Sequence, residues 1–174
     1  MDPMATPDPA LDLTTAIESA LADLPSAPVW VGLSGGVDSS TLLACAARSD
    51  RVRARGLRAL HVHHGLHADA DRWADHAVAG AAALGIDCSV VRVQVDPRGQ
   101  GIEAAARSAR HAAFGDAMTP GATMLLAHHR EDQAETLMLR LLRGASVDGL
   151  GAMRVRRALA SGWLLRPWLD QPRA

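Results

Sequence analysis

The sequence contains no lysine, so all eighteen of its basic residues are arginines. This absence excludes a Walker A loop, which needs a lysine directly before Ser or Thr to reach the phosphates. Cysteine is also scarce: Cys45 and Cys88 form no Cys-x-x-Cys pair and lie in apolar segments. We interpret both as buried thiols in a reducing compartment.

Long apolar runs and an excess of positive charge are missing too. No apolar stretch approaches the ~20 residues of a membrane-spanning helix, and residues 1–8 lack the basic and apolar regions of a signal peptide. We therefore expect a cytoplasmic protein with no membrane partner. The formal net charge of −1 gives no global field for nucleic acid. The arginine clusters at 48–58 and 154–157, taken alone, are typical of solvated surface.

An α/β fold is predicted by the order of the remaining segments. With 48% hydrophobic residues, the 174-residue chain can bury one good core, so one domain over residues 1–174 is expected. β-type runs cover 29–31, 57–63, 86–95 and 123–127. Helical patterns cover 9–24, 37–47, 68–84, 101–118 and 131–143, the last closed by Gly144. This alternation predicts a Rossmann-like open parallel sheet of about five strands with helices on both faces.

The end of the chain predicts a hairpin. Residues 156–160 and 163–168 are β-type runs separated by Ser161 and Gly162, and the second run is expected to supply the fifth strand. Ligands of open parallel sheets bind at the carboxyl ends of the strands. The segments that follow the first, second and fourth strands are therefore the places to look for a site.

Residues 29–41 are the most informative stretch. An apolar β-type run breaks at Gly35 and Gly36, which permit a tight turn, and then resumes as a helix. The hydroxyls of Ser39, Ser40 and Thr41 predict that side chains cap this helix. Glycine amides at a helix N-terminus bind anions, because unpaired N–H groups and the positive end of the helix dipole converge there.

Two chemistries compete for this loop. Residues 32–36 fit the Gly-x-Ser-x-Gly nucleophile elbow. An elbow serine normally follows several strands of the sheet, however, and only about one helix precedes the strand at 29–31. Residues 34–39 match Ser-Gly-Gly-x-Asp-Ser at every fixed position. That pattern resembles the pyrophosphate-binding loop of the N-type ATP pyrophosphatases, or PP-loop superfamily. We favour the second interpretation.

A second informative segment begins at His128 and His129. Asp132 and Glu135 follow at helical spacing, so their carboxylates share one face near the start of a helix. An acidic first turn that stabilises the helix dipole would explain them without a ligand. Their place at the predicted ligand edge favours a functional role, and a paired acidic face suits Mg²⁺ or an ammonium group.

The other histidines and the tryptophans carry weaker signals. Four histidines follow or lie in the second strand, but no cysteine or carboxylate completes a zinc set, so packing or a place beside a nucleotide is favoured. They are His61, His63, His64 and His67. The tryptophans show no interleaving with basic residues and are expected to fill cores rather than stack on bases. They are Trp30, Trp73, Trp163 and Trp168.

Five segments together resemble the N-terminal catalytic domain of the tRNA(Ile)-lysidine synthases, over roughly residues 29–170. They are SGGVDSS, HVHHGLH, GIEAAARSARHAAF, LLAHHREDQAETLMLRLLRGASVDGLGAM and LLRPWLD, in the family's order. The resemblance implies an enzyme that uses ATP and Mg²⁺ to adenylate the wobble cytidine of an isoleucine tRNA. Free L-lysine then displaces AMP.

The resemblance also assigns residues. The expected ATP-binding residues are Ser34, Gly35, Gly36, Asp38, Ser39, Ser40, His61, Arg107 and Arg110. Asp38 is the expected metal ligand and, with Asp132, the expected catalytic residue. Asp132 and Glu135 are expected to hold the substrate lysine.

The chain departs from the family pattern in a few places. Glu131 replaces a frequent aspartate, which keeps the charge, and His67 replaces a common arginine, which removes a possible phosphate or tRNA contact. Family members continue into a tRNA-binding region that we expect this chain to lack. Two alternatives stay open: a tRNA thiolation enzyme on the same ATP scaffold, for which Cys45 and Cys88 are poorly placed, and a non-catalytic ATP-binding module.

Overall fold

The computed structural model describes residues 9–99, 101–142 and 152–172. The predicted helix end at residues 143–144, the loop 145–151 and the first eight residues lie outside the described residues. The helices are α1 (Pro9–Leu21), α2 (Val37–Arg48), α3 (Asp50–Arg53), α4 (Ala70–Ala83), α5 (Ile102–Ala117) and α6 (Arg130–Leu142). The strands are β1 (Val29–Gly32), β2 (Arg58–His63), β3 (Cys88–Arg92), β4 (Thr123–Leu125), β5 (Arg156–Leu159) and β6 (Gly162–Leu165).

The strands form one sheet in the order β3-β2-β1-β4-β6-β5. All neighbours are parallel except the β5–β6 pair, and Trp30 of β1 pairs with Arg58 on one side and Met124 on the other. The chain moves outward from β1 to β3 and then returns to place β4 on the opposite side of β1. This reversal puts a crevice between the carboxyl ends of β1 and β4, where ligands of such sheets bind.

The α/β prediction is confirmed, with one more strand than expected. Both strands of the hairpin join the sheet: β6 pairs with β4, and β5 forms the antiparallel edge. A tight turn at Ala160 and Ser161 joins them, and so short a connection permits only antiparallel pairing. The sequence interpretation also missed α3, which Ser49 caps by accepting a hydrogen bond from the Val52 N–H at 3.2 Å.

Alternating residues of each central strand face two separate cores. Val29 and Val31 of β1 pack on the side that also buries residues of α1, α2 and α4. Trp30 and Met124 pack on the other side with Phe114 of α5. Because β1 and β4 are buried on both faces, they provide a rigid base for the loops at their carboxyl ends.

Helix α6 is different, because none of its residues is buried. It starts at the same edge of the sheet, five residues after β4. Among the described residues, no helix is long and apolar enough to cross a membrane.

Candidate functional site

A cleft of about 400 Å³ opens at the carboxyl ends of β1, β2 and β4. Six residues that sequence analysis selected line it: Ser34, Asp38, Ser39, His61, Arg110 and Asp132. Gly35, Gly36 and Ser40 belong to the same loop as Ser34, whereas Arg107 and Glu135 do not line the cleft. Segments far apart in the chain therefore meet where the topology predicts a ligand site.

The loop between β1 and α2 is held by its own hydrogen bonds. The Ser34 N–H donates to Ser39 Oγ at 3.1 Å, and the Ser39 hydroxyl lies 3.0 Å from the Gly36 carbonyl, which accepts from it. The Gly36 N–H donates to Ser34 Oγ at 3.3 Å. Gly35 has φ +86°, a conformation that favours glycine. The loop is therefore shaped before any ligand arrives.

The prediction that serine side chains cap α2 is wrong. The N-cap residue is Gly36, which has no side chain, and the hydroxyls of Ser39 and Ser40 turn back to its carbonyl, each at 3.0 Å. The first intrahelical bond is Ser40 N–H to Gly36 O. The positive dipole end of α2 therefore lies at the loop, which is the arrangement that suits an anion.

The nucleophile-elbow alternative gains no support from this geometry. Ser34 Oγ lies 3.0 Å from Ser39 Oγ and accepts from Gly36 N–H. In the part of the chain that the structure describes, no histidine forms a hydrogen bond with Ser34 Oγ. A serine nucleophile needs such a base to lose its proton.

His61 ties the loop to β2. Its Nδ1 lies 2.8 Å from the Leu33 carbonyl, and because a carbonyl can only accept, Nδ1 donates. Burial lowers the pKa of His61, so the ring is neutral at pH 7 and its Nε2 is an acceptor. His61 lines the cleft, and it holds the carbonyl that precedes Ser34.

Trp73 corrects the expectation that all tryptophans fill cores. Trp30 and Trp168 are buried, but Trp73 is 44% exposed and lines the cleft. Its ring stacks on that of His67 with centroids 4.6 Å apart. α4 begins at Ala70 in the segment that follows β2, and its first turn lies beside the loop, because a Cβ atom added at Gly35 would lie 3.6 Å from the Trp73 carbonyl oxygen.

His129 joins the two acidic groups of the cleft, a role that sequence analysis missed. The ring is buried, with Nε2 3.4 Å from Asp38 Oδ2 and Nδ1 3.1 Å from Asp132 Oδ2. Glu131 Oε2 lies 3.3 Å from the same Nδ1. The Nδ1 is not aligned for a hydrogen bond with the carboxylate of Glu131 or with that of Asp132. Asp38 and Asp132 are therefore held on opposite sides of one imidazole.

Asp132 also has a structural role. Its Oδ2 accepts from the backbone N–H of His129 at 2.8 Å, as an acidic side chain at the third position of a helix commonly does. Glu135, one turn further along α6, is exposed. Of the two residues in the predicted acidic face, Asp132 lines the cleft and Glu135 does not.

Arg110 is the cationic member of the cleft. Its Nε is buried without a hydrogen-bond partner in the described structure. Burial and the neighbouring positive charge of Arg107 lower the pKa of Arg110. Arg107 itself is exposed.

These donors fit a nucleoside triphosphate with Mg²⁺. The uncapped N-terminus of α2 and the Gly35 turn suit phosphate oxygens. Asp38, in the first turn of α2, offers carboxylate oxygens of the kind that Mg²⁺ prefers. Asp132 supplies a second carboxylate in the same cleft, and this carboxylate can bind a cationic group.

Comparisons with known proteins agree with this geometry. The sequence is 56% identical over 151 residues to a tRNA(Ile)-lysidine synthase of Xanthomonas campestris pv. campestris, covering 86% of this chain and 35% of that protein. It is 46% identical over 168 residues to the tRNA(Ile)-lysidine synthase of Alkalilimnicola ehrlichii, covering 96% of this chain and 38% of that protein. The chain thus spans about a third of the length of these relatives.

The fold also resembles a solved structure. The U34-tRNA thiolase NcsA from Methanococcus maripaludis matches with a TM-score of 0.65 at 17% identity, over 93% of this chain and 60% of that one. At this identity the likeness concerns the fold alone. The family description "PP-loop domain" matches residues 9–174, nearly the whole chain. The glycine loop at the end of β1 agrees with this match. The chain therefore belongs to the PP-loop domain family.

Proposed function

We propose that this chain is the catalytic domain of a cytoplasmic tRNA(Ile)-lysidine synthase. The reaction adenylates the wobble cytidine of an isoleucine tRNA with ATP, and L-lysine then displaces AMP. The observation that carries the proposal is the placement of Asp132 across His129 from Asp38. A simple ATP-binding module has no need of a second carboxylate there, whereas an enzyme with an amine nucleophile does. The names of relatives at 46% to 56% identity support the same reaction.

The loop and α2 bind the phosphate end of ATP in this proposal. The N–H groups of residues 37–39 and the Gly35 turn face the β- and γ-phosphates, and Asp38 holds Mg²⁺. Mg²⁺, when bound, neutralises charge on the departing pyrophosphate. His61 keeps the loop in place through the Leu33 carbonyl, so that little rearrangement is needed when ATP binds.

The acidic side of the cleft binds lysine in this proposal. Asp132, already fixed by its bond to the His129 N–H, attracts the ammonium group toward the adenylated base. Glu135 extends the same helix face by one turn and attracts the second positive charge of the substrate. The His129 ring lies between Asp38 and Asp132. In this proposal the metal ion therefore binds at Asp38 and the amine binds at Asp132.

The test is incorporation of labelled lysine into an isoleucine tRNA transcript by the natural gene product that contains this chain, with ATP and Mg²⁺ present. Asp38→Ala and Glu135→Gln are expected to lower incorporation at least tenfold. Asp50→Ala and Glu103→Gln are matched controls, because each removes one exposed carboxylate from the first turn of another helix. Incorporation by both test variants at the level of their controls would exclude the proposed roles.

A further inference from the structure

A second cavity, of about 320 Å³, lies between α1 and the short helix α3. Ser26 lines it shortly before β1 begins and Arg55 lines it shortly before β2 begins, whereas the cleft lies where these strands end. Among the described residues, none lines both cavities. The second cavity is therefore at the opposite edge of the sheet from the cleft, and its volume is at the lower end of the range for small-molecule sites.

Two arginines of this cavity have donors that the fold leaves available. Arg55 Nη2 donates to the Leu24 carbonyl at 2.8 Å, which fixes the side chain. Arg55 Nη1 is buried and has no hydrogen-bond partner in the part of the chain that the structure describes. This burial differs from the solvated surface that the sequence predicts for the arginine cluster at 48–58. Arg51 Nη1 lies 3.7 Å from Glu18 Oε2, which is too long for a hydrogen bond.

Glu18 supplies one negative charge to the same cavity. The buried Ser49 caps α3, and its hydroxyl donates to Glu18 Oε1 at 2.5 Å. The N-cap of α3 thus sets the position of the carboxylate. Glu18 Oε2 forms no hydrogen bond within residues 9–99, 101–142 and 152–172, so it can accept from a cationic group of a ligand.

The cavity therefore presents two guanidinium groups and one carboxylate. A ligand that matches this pattern carries two carboxylates and one ammonium group. The buried side chains of Leu21 and Val52 also line the cavity and suit a short aliphatic stem. We propose that this cavity binds a small acidic amino acid, with its carboxylates at Arg51 and Arg55 and its ammonium group at Glu18. Guanidinium groups match carboxylates well, because their planar donors fit the two oxygens in pairs.

Other small ligands match the cavity less well. The carboxylate of Glu18 would repel phosphate or a simple dicarboxylate, because neither carries a positive group to compensate it. Lysine would add positive charge beside two arginines that have one acidic neighbour between them. The site is therefore distinct in its chemistry from the proposed lysine site in the cleft, and it does not depend on the proposed function.

L-glutamate is the probe, and glutarate, which lacks the ammonium group, is its chemical control. Each is titrated at constant ionic strength into the ¹⁵N-labelled natural gene product that contains this chain. The backbone amide NMR signals of Ala22 and Ala54, which line the cavity at the ends of α1 and α3, report binding. We expect L-glutamate to shift both signals with a millimolar affinity, as is typical of so small a ligand. Glutarate is expected to bind about tenfold more weakly, because it lacks the charged hydrogen bond to Glu18.

Arg51→Gln is the test variant, and Arg72→Gln is its matched control. The two side chains are 76% and 83% exposed, and each lies near one carboxylate, at 3.7 Å and 3.8 Å. Arg72 belongs to α4 and lines neither cavity. Arg51→Gln is expected to weaken L-glutamate binding about tenfold, whereas Arg72→Gln leaves it unchanged. Thermal unfolding of both variants checks that the fold is kept.

The proposal is overturned if L-glutamate leaves the Ala22 and Ala54 signals in place, or if glutarate binds as tightly as L-glutamate. Equal affinities of Arg51→Gln and Arg72→Gln for L-glutamate overturn it as well. None of these measurements requires ATP, tRNA or lysine transfer. A failure of the proposed function, seen as absent lysine incorporation, therefore remains distinguishable from a failure of the amino acid site.

Discussion

The loop at β1 and the acidic site around His129 lie in one cleft but are built in opposite ways. The loop is largely local: the hydrogen bonds among Ser34, Gly36, Ser39 and Ser40 join groups at most five residues apart. The acidic site joins Asp38 to His129, which are 91 residues apart. The loop keeps its geometry wherever the strand-to-helix unit of β1 and α2 forms. An assembled site exists only when β1 and β4 pair in register.

The acidic site gives the largest expected effect. Asp132→Asn keeps an oxygen that can accept from the His129 N–H but removes the charge. We expect a loss of lysine transfer of about 100-fold, as found when one electrostatic group is removed from a site, with an unchanged melting temperature. Transfer kinetics and thermal unfolding of the same preparation are the measurements.

Asp132→Ala is the companion variant. It removes the hydrogen bond as well as the charge, and the lost cap costs about 1 kcal/mol of stability. If Asp132→Asn transfers lysine at the normal rate, the carboxylate serves only to cap α6, and the contrast between the two regions disappears.

The loop is tested next by Gly35→Val. A side chain is strained at φ +86°, so the turn must shift and Mg-ATP affinity is expected to fall at least tenfold. Gly56→Val is the matched control, because Gly56 has φ +77° with open space around it, outside the cleft. Both variants are expected to lose about 1 to 2 kcal/mol of stability.

Calorimetric titration with Mg-ATP separates these two effects. Only Gly35→Val is expected to lose affinity. Equal affinities for Gly35→Val and Gly56→Val would show that the shape of the turn is unimportant for phosphate binding.

The smallest expected effect is a change of the free energy of unfolding with pH. It arises from two partly buried histidines, His111 and His128. His111 and His128 have a pKa of about 4 in the fold against 6.5 when free. Between those values the unfolded chain binds more protons, so the free energy of unfolding falls as pH drops from about 6.5 to 4. We expect a loss on the order of 1 kcal/mol per histidine, because both rings are only partly buried.

Urea unfolding at several pH values measures this slope. The lowered pKa values of His61 and His64 add to it in the same direction. His111→Gln and His128→Gln are expected to flatten the curve. A curve that His128→Gln does not flatten contradicts the neutral state assigned to that ring.

The tryptophans illustrate why prediction succeeded for the strands and failed for parts of the site. Trp30 was placed correctly because it lies in a β-type run whose alternate residues must be buried. Trp73 occurs on a helix, and periodicity alone did not reveal that this turn of α4 faces the phosphate loop. The same holds for the hairpin: its existence followed from local turn residues, but the pairing of β6 with β4 required the whole sheet.

The sequence by itself determined the strand-loop-helix unit at residues 29–48, the alternation of helices and strands, and the placement of Asp132 at the start of a helix. Each depends on residues within one or two turns of one another. Only the tertiary structure decided that α2 is left without a side-chain cap and that His129 lies between Asp38 and Asp132. These features depend on distances between segments that are remote in the chain, and such distances are fixed by sheet order and packing rather than by any local pattern.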